Sequence, residues 1–221
     1  MNDISEQITL IDEKPQGFRI LWGLWLPLLL SLGLHIYVAL KERVVWGDEP
    51  FYLWLGQNWL KGEGYQFLGF SDVHHTPGYP LLTAGLSYLT ADLTWASNLA
   101  YILFGTLLIF PVYGIARRLY GDRSAGWAAF LVALLPALNV AVPLWGTMTE
   151  PPFLFFLAFA LFAAVLAVTG SGAWAYGLAG LSLGLAYLVR PEAVLYFAIF
   201  GLLLFFIPLF ARRAGWGWFF G

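Results

Sequence analysis

Five ionisable residues that could take part in a reaction lie near the ends of apolar runs in this chain, each within two residues of a proline. They are Asp48, Glu49, Glu150, Arg190 and Glu192. Ionisable groups near membrane depth are functional candidates by default. A guanidinium at a membrane–water interface is well suited to holding a lipid-borne phosphate. The pattern therefore indicates a candidate site in which Arg190 meets such a phosphate.

Each of these residues also has a purely structural interpretation. Asp48 stands just before a helix that opens on Pro50, so its side chain is a candidate N-cap. Glu150 is a first-turn carboxylate of the kind favoured by the helix dipole. Arg190 has a long stem that allows snorkelling, and Glu192 is close enough to pair with it. Residue type and spacing leave both interpretations open.

The adjacent pair His74 and His75 raises the question of a metal site. A structural or catalytic zinc site needs three or four ligands at defined spacing, and no third ligand is spaced nearby. A histidine pair beside a Pro-Gly turn is more typical of a solvated loop. We therefore predict no metal and no cofactor.

The composition indicates a membrane protein. Hydrophobic residues make up 60% of the 221 residues and charged residues 11%, whereas soluble domains carry about 25% charged residues. Aromatic content is 19%, with 11 Trp, which suits a protein that lines two membrane–water interfaces. The net charge of −2 gives no sign of a nucleic-acid partner, and the absence of Cys excludes disulfides and thiolate chemistry.

The elements that must position these residues are membrane-spanning helices. A span needs about 20 apolar residues, and lipid-exposed backbone must satisfy its own hydrogen bonds. Alternation of period two, expected for a membrane barrel, is absent. We predict an all-α, polytopic bundle of about six spans, at 20–40, 95–116, 124–143, 151–169, 173–189 and 193–211, with 78–90 as a shorter helix at or dipping into the outer surface.

Three domain segments follow from this assignment. We predict a cytoplasmic leader over 1–19, a transmembrane domain over 20–211, and the start of a further, truncated apolar segment over 212–221. The first span lacks a small-x-small cleavage site and is longer than the roughly 7–15 residues of a signal-peptide apolar region, so we expect a retained anchor.

Charge asymmetry predicts which face carries the site. With the N-terminus inside, seven Lys and Arg residues lie inside and four outside, a positive-inside bias centred on the loop Arg117–Arg123. The longest polar stretch, 41–77, is then an outer loop. Within it, Phe51, Trp54, Leu55 and Trp59 share one face of a short amphipathic helix suited to the headgroup layer.

Four motifs resemble those of a known family. Asp48-Glu49-Pro50-Phe51-Tyr52 is similar to the Asp-Glu motif of the GT-C glycosyltransferases, in the branch that contains protein O-mannosyltransferases and the lipid A aminoarabinose transferase (glycosyltransferase family 39). The other three motifs follow in the family's order over roughly 45–195. They are His75-Thr76-Pro77-Gly78-Tyr79-Pro80, Met148-Thr149-Glu150-Pro151 and Leu188-Val189-Arg190-Pro191-Glu192.

The resemblance implies transfer of a sugar from a polyprenyl-phosphate carrier to a lipid, glycan or protein acceptor at the outer face. In that case Asp48 is the general base and Glu49 orients hydroxyl groups. Arg190 stabilises the leaving phosphate, with His75 as the second candidate. Glu150, Tyr79 and Glu192 complete the expected substrate-binding set. The sugar is activated by its own phosphate, so the reaction requires no metal.

Two other classes of function stay open from the residues. A transporter or flippase would show internal repeats and ionisable groups inside its spans, and a non-catalytic scaffold would use Asp48 only as a cap. The expected location is a bacterial or archaeal plasma membrane, with membrane lipid around the spans and the site facing outward.

Overall fold

The computed structural model describes residues 21–41, 44–146 and 148–213. The predicted leader over 1–19 and most of the predicted terminal segment lie outside these residues. Of the residues described, 77% are helical. A π-helical turn, Leu21–Trp25, precedes the α-helices, and a two-stranded antiparallel hairpin, β1 (Gln66–Phe67) with β2 (Phe70–Ser71), lies between α2 and α3. The α-helices in chain order are α1 (Leu26–Ala39), α2 (Glu49–Leu60), α3 (Gly78–Thr90), α4 (Leu93–Leu107), α5 (Ile109–Tyr120), α6 (Asp122–Leu134), α7 (Pro136–Asn139), α8 (Ala141–Trp145), α9 (Glu150–Val168), α10 (Trp174–Val189) and α11 (Ala193–Arg213).

The all-α fold predicted from the sequence is confirmed. Within the described part of the chain, three helical stretches are long and apolar enough to cross a membrane, namely Trp22–Ala39, Leu93–Tyr120 and Glu150–Val168. Two shorter apolar helices, Trp174–Val189 and Ala193–Leu203, accompany them. The stretch 78–90 is a separate helix, as expected, and it ends at Ala91 in a left-handed conformation.

The apolar run 124–143 differs from the predicted continuous helix. The helix α6 ends at Leu134, since Leu135 is extended and Pro136 opens a new short helix. A proline lacks the amide hydrogen that a helix needs and disfavours helical geometry in the residue before it. Asn139 closes this break, because its side-chain nitrogen donates to the carbonyls of Ala133 at 2.8 Å and Leu135 at 3.0 Å.

Small residues bring the long helices together. Ala163 and Ala164 of α9 pack with Ala179 of α10 in one buried cluster. Close backbone approach through small side chains is the usual way for helices to pack in lipid, where apolar contact alone gives no advantage. Large apolar side chains stay exposed on the outside of the bundle, as on α11 at Leu195 and Phe197. These surfaces fit a lipid environment.

Cross-helix contacts separate the two ends of the bundle. At one end, Arg118 of α5 donates to the side chain and the carbonyl of Thr169, directly after α9. At the other end, Arg190 pairs with Glu150 at the start of α9. We call the second end, which carries Asp48, Glu150 and Arg190, the acidic end. The cationic loop after α5 therefore lies opposite the candidate site.

Candidate functional site

The site forms where the start of α2 meets the start of α9 and the end of α10. A Cβ placed on Gly47 would lie 3.5 Å from the carbonyl oxygen of Trp145 and 3.6 Å from that of Gly146. The backbone just before Asp48 therefore lies against the segment that leads into Glu150. Two of the predicted site residues, far apart in the chain, are brought to the same place by this contact.

Asp48 is exposed at the start of α2, and its carboxylate makes no capping hydrogen bond to that helix. This contrasts with Asp92, whose side chain accepts a hydrogen bond from the Trp95 amide at 2.7 Å and caps α4. The helix α2 begins on Glu49-Pro50, and proline in the first turn needs no amide partner. The capping interpretation of Asp48 therefore finds no hydrogen bond to support it.

Arg190 holds two carboxylates at once. Its Nη2 donates to Glu192 Oε1 at 2.9 Å and its Nε to Glu192 Oε2 at 3.4 Å, while its Nη1 donates to Glu150. A guanidinium has five N–H donors, so these bonds leave two for a ligand. The sequence suggested the pair with Glu192. The pair with Glu150, 40 residues away, comes from the fold.

The same contacts shift the pKa values of the pair. The hydrogen bond to Glu192 is the largest cause that raises the pKa of Arg190, and Glu150 adds to it. In turn, the hydrogen bond from Arg190 holds the pKa of the Glu192 carboxyl below its ordinary value. The Arg190 side chain also lies over the Phe153 ring, with its guanidinium carbon 5.8 Å from the ring centre. The cation stays charged and is fixed in direction.

Glu49 and Tyr79 are both fully buried, and they share Ser97 as a hydrogen-bond partner. Ser97 of α4 donates to Glu49 Oε1 at 2.5 Å, and the Tyr79 hydroxyl donates to Ser97 Oγ at 3.0 Å. Hydrogen bonds in such a chain polarise one another and hold a single geometry. These hydrogen bonds join the first turns of α2 and α3 to α4. Ser97 was missed by sequence reasoning, because nothing in its local sequence distinguishes it.

His75 is held by a neighbouring carboxylate. Its Nδ1 lies 3.0 Å from Asp72 Oδ2, and its ring stacks on Phe51 with ring centres 5.8 Å apart. Tyr52 meets the same ring edge-on at 5.4 Å. His74, the other histidine of the pair, is exposed. Within the described ranges, no group of three or more His, Asp or Glu side chains is placed to hold a metal ion.

The turn that carries His75 is tied to the end of α10. The Thr76 hydroxyl donates to the carbonyl of Val189 at 2.8 Å. A Cβ on Gly78 would lie 2.8 Å from the Val189 nitrogen, closer than real side chains approach. Only glycine allows α3 to begin this near α10. The turn and Arg190 are thereby fixed relative to each other.

Tyr52 is a site residue that sequence reasoning missed. Burial raises its pKa, and Asp48, Arg190, Glu150 and Glu192 all act on it electrostatically, with Asp48 the strongest of these charges. Its ring also contacts Tyr79 edge-on at 5.6 Å. The signal was available, since Tyr52 follows Asp48 by four residues in a helix and such residues share a face.

The apolar face predicted for α2 is partly buried and partly exposed. Leu55 is fully buried, and the neighbouring Gly56 packs closely on Pro80 of α3. Trp54 and Trp59 stay half-exposed and contact the rings of Phe67 and Tyr65. The helix is therefore clamped between α3 and the hairpin, which fixes the direction of the site residues at its first turn.

Comparison with known proteins gives one family match. A family model described as dolichyl-phosphate-mannose-protein mannosyltransferase matches residues 74–217. The matched range contains His75, Tyr79, Glu150, Arg190 and Glu192, and it begins after Asp48 and Glu49. No curated protein and no solved structure matches the chain.

Proposed function

Because this chain belongs to the dolichyl-phosphate-mannose-protein mannosyltransferase family, and is therefore a membrane glycosyltransferase of the GT-C kind, we propose its donor, its acceptor face and its base. The donor is a sugar linked to a polyprenyl phosphate, the acceptor reaches the site from the outer face of the membrane, and Asp48 is the general base. The family membership decides against the transporter and scaffold alternatives.

The observation that carries the proposal is that Asp48 and Arg190 both lie near enough to Tyr52 to act on it electrostatically, at one end of the bundle. Asp48 is exposed and does not cap its own helix. Arg190 is charged, oriented by two carboxylates, and retains two N–H donors for a ligand. A base for the acceptor and a cation for the leaving group are the two groups that this transfer needs.

In the proposed reaction, an acceptor hydroxyl or amine attacks the anomeric carbon of the donor sugar, and its proton passes to the Asp48 carboxylate. The bond between the anomeric carbon and the phosphate oxygen breaks, and the phosphate leaves with the electron pair. Hydrogen bonds from a preorganised cation stabilise the charge that develops on it, which is the role we assign to Arg190.

Four neighbouring residues hold this arrangement in place. We assign Glu49 a positioning role, since its carboxylate is buried and receives the Ser97 hydroxyl. Tyr79 belongs to the same chain of hydrogen bonds. Glu150 and Glu192 hold the guanidinium of Arg190 in place.

The test is sugar transfer in membranes, with a panel of labelled polyprenyl-phosphate sugars and label followed into lipid, protein and glycan fractions. Loss of a positioned base reduces transfer by about 10²- to 10⁴-fold. Sugar transfer by Asp48→Asn should therefore fall by that factor, while the amount of the protein in the membrane stays unchanged. Asp92→Asn is the matched control, because Asn caps a helix about as well as Asp and Asp92 is a true cap. Persisting transfer in Asp48→Asn would remove Asp48 from its role, and a wild type that transfers from no polyprenyl-phosphate donor would refute the proposed donor.

A further inference from the structure

We propose that Asp72 is a positioning residue that fixes the His75 ring so that its Nε2–H binds the phosphate of the lipid-linked sugar, together with Arg190. This inference rests on the proposed function. Asp72 lies in the loop between the hairpin and α3 and was not among the residues singled out from the sequence. The His75 ring would then be the second N–H donor group of the site, beside Arg190.

Asp72 makes three hydrogen bonds within four residues. Its Oδ1 accepts from the backbone amides of His74 at 3.0 Å and His75 at 2.8 Å, and its Oδ2 faces His75 Nδ1 at 3.0 Å. Burial opposes ionisation of Asp72, but these hydrogen bonds prevail and hold its pKa below the ordinary value. An ionised carboxylate only accepts hydrogen bonds. Nδ1 therefore carries a proton, and Nε2 is the nitrogen left for a ligand. A phosphate oxygen at Nε2 is a second acceptor, so with phosphate bound the ring carries N–H groups on both nitrogens.

The Asp72 carboxylate is more buried than the His75 ring, as expected if the carboxylate supports the ring and the ring contacts the ligand. The Asp72 side chain is 10% exposed and the His75 side chain 27%. Phe51 and Tyr52 bracket the ring, so its orientation is limited by packing as well as by the hydrogen bond. Second-sphere carboxylates that orient a histidine in this way select its tautomer.

The backbone around His75 is held as firmly as the ring. The Tyr65 hydroxyl donates to the carbonyls of His75 at 3.0 Å and Thr76 at 3.2 Å. The Thr76 hydroxyl in turn donates to Val189, the residue before Arg190. His75 and Arg190 therefore stand on one connected frame. Tyr52 contacts the His75 ring and is also acted on by the Arg190 charge, so both groups lie near Tyr52 and could bind one phosphate.

The titratable groups that face His75 are Asp72 from its own loop, Tyr65 from the hairpin side and Tyr52 from α2. Burial raises the pKa of both tyrosines, so they remain neutral near pH 7. Asp72 is therefore the anion that faces the ring at Nδ1, and a phosphate bound at Nε2 would be a second anion at the other nitrogen.

The experiment compares three variants in membranes. Asp72→Asn keeps an oxygen for the two backbone amides but turns an N–H toward Nδ1. Nδ1 must then accept, so the ring keeps its Nε2–H but can no longer hold a proton on both nitrogens. His75→Gln removes the imidazole and its Nε2–H. His74→Gln is the matched control, because it replaces the neighbouring exposed histidine of the same turn.

The readouts are KM for the polyprenyl-phosphate sugar and kcat. Losing a hydrogen bond to a charged group reduces affinity about tenfold or more, so we expect His75→Gln to raise KM by about that factor with a smaller change in kcat. Asp72→Asn should also raise KM, by a smaller factor, and His74→Gln should leave both constants unchanged.

A second measurement does not depend on transfer. Binding of sugar-free polyprenyl phosphate to the purified protein is followed by Trp fluorescence, with polyprenol as the probe that lacks the phosphate. Weaker phosphate binding in His75→Gln, with polyprenol binding unchanged, supports the inference even if no sugar donor is found. Wild-type phosphate binding in both Asp72→Asn and His75→Gln overturns it, whereas absent transfer alone counts against the proposed function.

Discussion

Tyr52 lies among the charged groups of the site and has a polar tip. It is half-buried, and the charges of Asp48 and Arg190 shift its pKa in opposite directions. Its raised pKa keeps the hydroxyl protonated at neutral pH, so it can donate a hydrogen bond to an anion or to a substrate oxygen. At the scale of single residues, it is the strongest additional candidate for substrate contact.

We expect Tyr52→Phe to reduce transfer about tenfold, because it removes one hydrogen bond to a charged group. The ring contacts with His75 and Tyr79 are retained, so the fold and the membrane level should not change. The assay is the same sugar transfer, run beside thermal unfolding in detergent. Full activity in Tyr52→Phe would show that the ring alone, as a wall of the site, is what the protein requires.

The Asp72 turn should be sensitive to acid. A carboxyl whose pKa is lowered on folding contributes stability above its ordinary pKa, near 3.8, and loses it as the pH falls through the lower folded value. We therefore expect hydrogen exchange at the amides of His74 and His75 to accelerate relative to neighbouring amides only below about pH 4. In Asp72→Asn this pH dependence should disappear, and unchanged dependence there would assign it to another group.

At the scale of elements, the site depends on how near α3 can begin to the end of α10. A Cβ on Gly78 would lie 2.5 Å from the Leu188 carbonyl carbon and 2.8 Å from the Val189 nitrogen. Both are backbone atoms, which cannot rotate away. One of the two helices must move to admit a side chain, and Arg190 directly follows α10.

Gly78→Ala should therefore lower both stability and transfer. Overpacking of this kind costs about 1–3 kcal/mol, and the displaced Arg190 should raise KM for the donor. Gly85→Ala is the matched control in the same helix, since a Cβ there meets nothing within 4 Å and Ala favours helix over Gly by about 1 kcal/mol. Equal melting temperatures and equal KM for the two variants would contradict the close approach.

At the scale of the whole molecule, the two ends of the bundle differ in charge. The acidic end carries Asp48, Glu150 and Glu192 around Arg190, and the opposite end carries Arg117 and Arg118. Positive loops stay on the cytoplasmic side of a membrane. The proposed outward orientation of the site follows from this asymmetry.

The chain contains no Cys, so single cysteines can report the orientation directly. Ser71 and Ser124 are exposed serines at opposite ends, and Ser→Cys is nearly isosteric. We expect a membrane-impermeant maleimide to label Ser71→Cys in intact cells and Ser124→Cys only after permeabilisation. The reverse pattern would place the site on the cytoplasmic side and refute the proposed orientation.

The sequence by itself determined the class of the protein and the order of its main helices. A chain with 11% charged residues is expected to lie in lipid. Backbone groups in lipid must pair internally, so this chain is expected to form helices. Helix ends marked by proline were also predictable, and so was the local pair of Arg190 with Glu192. The break at Pro136 was missed, although proline chemistry in the run 124–143 could have indicated it.

Tertiary structure alone decided which polar groups meet. The partner of Arg190 at Glu150, the burial of Glu49 against Ser97, and the link from Thr76 to Val189 join segments that are far apart in the chain. Hydrophobic periodicity specifies which face of a helix is buried but not which residue of another helix it meets. That choice depends on side-chain volume and close approach, as at Gly78, and these act only once the helices are packed.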